Sequence, residues 1–296
     1  MTLARQYAKL CDLRDFEDPE LLSAIRSLVP ERDPLAYIER KVWEFAMVMR
    51  FLGDTGHLDD RSRVLSVGAG NERILFWLTN HVGEVVATDI YGEGHFAARE
   101  AHVSMLEDPA AHAPAYPWRP ERLRVLAMDG RALDFPDGSF DAVFTVSSIE
   151  HFGAPAQIAR AASEIGRVLR PGGHAIIVTE CLVSHHPLDS APVELAIRAA
   201  TLGRRRRRAT LSRRSRLGEV LTRNELDTLI IEPSKLEPMQ PLDTHLSPET
   251  FAHITTATAD GHLTADGADT YPLILMRISR SVFTSACVVL VKSAPR

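Results

Sequence analysis

Apolar positions along the chain change period several times, and each change marks an element. Leu21, Leu22, Ile25 and Leu28 follow Pro19 at three-to-four spacing, and Tyr37, Ile38, Val42, Phe45, Ala46 and Met49 repeat that spacing. Residues 1–60 are therefore predicted to be helical, with a long helix over 34–52 ended by Gly53. Its bland role is to pack on a sheet; Tyr37 and Trp43 are also candidate walls of a pocket. From Arg63 the period shortens. Arg63–Val67 is an apolar run, Gly68-Ala69-Gly70 breaks it, and a helical pattern begins near Asn71 with Ile74, Leu75 and Leu78. A second apolar run, 85–88, stops at Asp89. This reads as strand, glycine turn, helix and parallel strand, with a carboxylate at the second strand's tip.

Further apolar runs predict strands at 123–127, 141–146 and 175–179, and a helix over 95–106. Pro109, Pro114, Pro117 and Pro120 break the stretch after that helix into a loop. The loop precedes a strand, so its His112, Tyr116 and Trp118 are expected to be packing residues at the sheet's far edge. Toward the C-terminus, 221–231 reads as a helix, 235–239 as a strand and 281–292 as a long β run.

The strand–turn–helix–strand unit suits a nucleoside. Glycines admit a ligand close to the backbone, and a carboxylate beyond the next strand accepts hydrogen bonds from two ribose hydroxyls. A dinucleotide fingerprint would need a third glycine where Arg73 stands, and an arginine crowds the contact that glycine permits. S-adenosylmethionine, which has no pyrophosphate, fits better. A second carboxylate, Asp129, stands between Met128 and Gly130 at the tip of the third strand. It can accept from adenine's amino group, although Asp before Gly is equally the sequence of an Asx turn.

The glycine turn, F-P-D-G-S-F-D-A-V at 135–143 and L-R-P-G-G at 169–173 follow one another over 63–180. With these motifs in this order the chain resembles the class I S-adenosylmethionine-dependent methyltransferases. The resemblance implies an α/β fold: a Rossmann-like, seven-stranded, mostly parallel sheet with helices on both faces. The expected layout is a helical extension (1–60), a cofactor-binding core (61–180), and substrate-binding or lid insertions with the last two strands (181–296). S-adenosylmethionine would lie against Ser66, Gly68, Ala69, Gly70, Asp89, Ile90, Met128, Asp129, Gly130 and Ser147. Ser66 stands where the family carries an acid, and Ile90 would pack on the adenine. The acceptor would sit above 147–151, where the imidazole of His151 suits removal of a hydroxyl proton. His185 and His186 are further candidate bases. The expected reaction is methylation of a small molecule at oxygen, on a saccharide or secondary metabolite.

Composition narrows this further. At 296 residues and 45% apolar the chain can bury one substantial core. It has no run of about 18 apolar residues to span a bilayer and no signal-peptide profile. Its three cysteines are far apart, as in a cytoplasmic protein with reduced thiols. His185, His186, Asp189 and His245 show no metal-ligand spacing. A net charge of −5 argues against a nucleic-acid partner. Arg204–Arg208, with Arg213, Arg214 and Arg216, argues the other way as a phosphate clamp. Against it, arginine is this chain's default cation and the run lacks interleaved aromatics, which favours a solvated stretch. An RNA methyltransferase, a nicotinamide enzyme and a non-catalytic nucleoside-binding protein remain as rival readings.

Overall fold

A computed structural model describes residues 3–94, 100–184, 199–200, 219–257, 263–265, 271–278 and 280–294. His185, His186 and Arg204–Arg208 lie outside the described residues.

Strands β2 (Arg63–Val67), β3 (Glu84–Asp89), β4 (Leu123–Ala127), β5 (Phe140–Val146) and β6 (Leu169–Ser184) form a parallel sheet in the order β4-β3-β2-β5-β6. The long β11 (Ser281–Val291) closes it antiparallel to β6. Helices pack on both faces, so the strands are apolar on both sides. Ala142, Phe144, Ile176 and Val178 face one core with α1 (Pro19–Leu28), α2 (Arg40–Asp54) and α3 (Arg73–Thr79). Phe140, Val143, Ala175 and Ile177 face the other, with α5 (Pro155–Val168) and a helix over 223–234, α6, whose middle Leu226–Ile231 is π-helical. Thr222 caps α6, its hydroxyl accepting from the Glu225 amide at 3.2 Å. Lys292 caps α5 by donating to the carbonyls of Gly166 and Leu169.

This is the expected Rossmann-like α/β fold, but the sheet is wider than seven strands. The N-terminal stretch contributes β1 (Lys9–Leu10), paired with β11 at Cys287 and Ala286. β10 (Leu275–Ile278) pairs with the start of β11, and β8 (Ile254–Ala257) and β9 (Leu263–Ala265) extend it outward. The expected strand at 235–239 is only the two-residue β7 (Glu237–Pro238), because Lys235 ends the preceding helix in a left-handed conformation, φ +58°.

The long N-terminal helix starts six residues later than its apolar spacing predicts. Arg40 N donates to Leu273 O at 3.0 Å and Leu273 N to Ile38 O at 2.8 Å, which holds Glu39 extended. Trp43 is wholly buried and donates to Asp15 at 2.7 Å, and Tyr37 stacks edge-on with Tyr271, so neither walls the central cavity. The helix expected over 95–106 is a single turn, α4 (Ser104–Glu107), within the described part. The proline-rich loop packs over α3: Trp118 meets Phe76 edge-on and Tyr116 donates to Arg73 O. His112 goes further than expected and reaches the Asn71 amide, one residue beyond the glycine turn.

Candidate active site

The strand order reverses between β2 and β5, and in open α/β sheets ligands settle beyond the C-terminal ends of the strands at such a point. A cavity of about 380 Å³ opens there, within the range of small-ligand pockets. Its walls come from the segments that leave β2, β3, β4 and β5, together with Lys41 of α2 and Glu219 ahead of α6.

The first wall is the glycine turn. Gly68 and Gly70 take φ of +67° and +53°, and the amides of Gly68 and Ala69 both donate to Thr88 O at 2.9 Å. A Cβ on Gly70 would meet Glu100 O at 2.5 Å and one on Gly68 the Ser148 Cβ at 2.6 Å, so only glycine permits this turn. The second wall is Asp89-Ile90. One Asp89 oxygen accepts from Gly70 N at 2.9 Å and the other from Ile90 N at 2.7 Å, which fixes the carboxylate beside the turn. Burial raises its pKa against those two hydrogen bonds. Ile90 is 40% exposed at the mouth, an apolar side chain left open to a ligand.

Met128, Asp129 and Gly130 form the third wall, but Asp129 is already engaged. The Arg131 guanidinium forks it at 2.6–2.9 Å and the Arg131 amide donates to it at 2.9 Å. These bonds hold its pKa below the usual carboxylate value. It is thus an Asx turn and an ion pair as well as part of the wall.

The fourth wall runs from Ser147 to His151. His151 Nδ1 lies 3.6 Å from a Glu219 oxygen, with Glu150 buried beside it. Burial disfavours the imidazolium, but the carboxylates of Glu219, Glu150 and Glu180 outweigh it and raise the His151 pKa. Burial, reinforced by Glu180, raises that of Glu150, whose oxygens accept from Thr179 Oγ1 at 2.8 Å and Glu180 N at 3.1 Å.

Every expected cofactor residue except Ser66 borders this one cavity, as does His151. Ser66 shares the parity of Val64 along β2. Its side chain is buried in the core, and its carbonyl accepts from Thr88 Oγ1 at 3.0 Å. Sequence reasoning missed Lys41, Glu72, Arg131 and Glu219 in the cavity wall and Arg40, Glu44 and Glu180 behind it. Lys41 bridges Glu72 at 3.1 Å and Glu44 at 3.6 Å. The available signal was Arg40, Lys41 and Glu44 set close together at the start of a helix that then runs mostly apolar.

Residues 65–177 match the methyltransferase domain family. The matched segment holds the glycine turn, Asp89, Asp129 and His151, and marks a methyltransferase domain within the chain. A phosphatidylethanolamine N-methyltransferase from Cereibacter sphaeroides is 34% identical over 148 residues, 50% of this chain and 65% of that relative. The chain therefore spans slightly less than two thirds of the curated relative it matches. Among solved structures, the YcgJ protein from Bacillus subtilis is 16% identical, with a TM-score of 0.47 over 83% of this chain and 98% of that one. A SAM-dependent methyltransferase from Aquifex aeolicus is 14% identical, with a TM-score of 0.43 over 94% and 96%. The cofactor of this methyltransferase family is S-adenosylmethionine. The cradle fits it: a carboxylate beside a turn that any Cβ would fill, and an exposed isoleucine at the mouth.

Proposed function

We propose that the protein transfers a methyl group from S-adenosylmethionine to a hydroxyl oxygen of a small-molecule acceptor, a saccharide or secondary metabolite. The observation that carries this reading is a single cavity bordered both by Gly68, Ala69, Gly70 and Asp89 and by His151 with Glu219. When bound, S-adenosylmethionine supplies a methyl group already activated on a sulfonium. The chain's work is then alignment, exclusion of water and removal of a proton. In this reading Asp89 receives the ribose hydroxyls through its remaining lone pairs, and Ile90 covers an adenine face. Met128, Asp129 and Gly130 would hold the base. His151 takes the acceptor's proton, and Glu219 and Glu150 stabilise the imidazolium that forms.

An amine acceptor is the second reading, supported by the N-methyltransferase relative. A protonated amine must also lose a proton before it can attack, so the same histidine would serve. The test supplies methyl-labelled S-adenosylmethionine with a panel of hydroxyl and amine acceptors. Label recovered as an O-methyl product supports the first reading, and N-methyl products alone support the second. Cofactor binding with no label transferred to any acceptor would overturn both.

A further inference from the structure

Ser147 leaves β5 in a left-handed conformation, φ +45°, which is strained for any residue carrying a Cβ. Such strain persists only where the surroundings impose it. Here the backbone is held by Ser147 N donating to Val178 O at 2.8 Å, and the side chain by Glu44. Ser147 Oγ lies 2.9 Å from both Glu44 carboxylate oxygens.

Glu44 is wholly buried in α2 and is itself fixed from two sides. Arg40, one turn earlier, donates to it at 3.1 Å, and Ser285 Oγ of β11 donates to the same oxygen. Arg40 also pairs with Glu180 of β6 and donates to Ser285 Oγ at 3.1 Å. A buried carboxylate with this many donors cannot swing away, because every displacement leaves a charge unpaired. The turn at Ser147 delivers Ser148, whose hydroxyl donates to Gly68 O at 2.7 Å. The chain of contacts runs from helix α2 through the tip of β5 to the glycine turn.

We propose that Glu44 is a positioning residue: by anchoring the Ser147 hydroxyl it holds the tip of β5 in its left-handed turn, and so sets the wall against which cofactor and acceptor are aligned. This rests on the reading of the cavity as the S-adenosylmethionine site. The test therefore pairs calorimetric titration of S-adenosylmethionine with a measurement that needs no ligand, amide exchange across 146–152.

In Glu44→Gln the one remaining oxygen faces Arg40 and Ser285, so an amide NH₂ replaces the oxygen turned to Ser147 and Lys41. The anchor loses its charge and one of its two acceptors. The substitution should weaken cofactor binding about tenfold and speed exchange across 146–152. Glycine takes φ +45° unaided, so Ser147→Gly in the Glu44→Gln background should return affinity to within about threefold of the parent, even if the melting temperature stays low. Restored affinity at a lowered melting temperature separates positioning from general stability. Ser147→Ala keeps the strain without the anchor and should resemble Glu44→Gln. This Ala-versus-Gly comparison decides the matter if Glu44→Gln does not fold. Parent-like exchange in Glu44→Gln, a double variant as weak as the single one, or equal affinities for Ser147→Ala and Ser147→Gly would overturn the proposal. If the parent binds no S-adenosylmethionine, the cofactor reading fails and the exchange data alone judge Glu44.

Discussion

Ser148 and Gly68 touch across the head of the sheet: the serine hydroxyl donates to the glycine carbonyl at 2.7 Å, and the glycine leaves no room for more than a hydrogen. The contact joins the turns after β5 and β2, so the two halves of the cavity share one hinge of backbone. Gly68→Ala places a methyl 2.6 Å from Ser148 Cβ on backbone at φ +67°. The conformation alone should lower stability by about 1–2 kcal/mol. Parting the two turns should also weaken S-adenosylmethionine binding by about tenfold. Thermal denaturation and calorimetry check the two effects separately.

The His151 pKa is raised by Glu219, Glu150 and Glu180 against the effect of burial. A base must be neutral to accept a proton, so kcat/KM should rise with pH through a midpoint above the ordinary histidine value. Glu219→Gln removes one of the carboxylates that hold it up. The rising limb should then move to lower pH. A pH–rate profile of parent and variant checks this, and His151→Ala should abolish the limb.

At the opposite edge of the sheet His57 Nε2 and His174 Nδ1 are 2.8 Å apart and buried. Burial, then the charge of His57, pushes the His174 pKa down to about 4. The folded pKa is below the unfolded one, so the unfolded chain takes the proton first as pH falls. Stability should be complete above about pH 6.5 and decline toward pH 4, by up to about 3 kcal/mol from this group. Denaturant melts across that window should flatten in His57→Gln/His174→Gln.

Local chemistry made much of the fold legible. β2 and β4 span the predicted residues because an apolar run and the turn that ends it are neighbours in sequence. Asp89 was legible for the same reason. Where partners are remote the sequence was silent. Residues 34–39 carry helical spacing, yet pairing with Leu273 holds the end of that stretch extended. Asp129 offered two readings, and Arg131, two residues on, decides how its oxygens are engaged. The charges on α2 could not be interpreted without Ser147, Glu180 and Ser285, which folding brings from other strands.

The central claim is that the cavity at the strand tips takes S-adenosylmethionine with Asp89 as the carboxylate for its ribose. Calorimetric titration of the cofactor into parent, Asp89→Asn and Asp129→Asn tests this most directly. Charge-assisted hydrogen bonds contribute about 1.5–3 kcal/mol each, so Asp89→Asn should weaken binding by roughly 10- to 100-fold. Asp129, whose charge Arg131 already neutralises, should matter less. Parent-like affinity in Asp89→Asn, or no binding by the parent, would contradict the account.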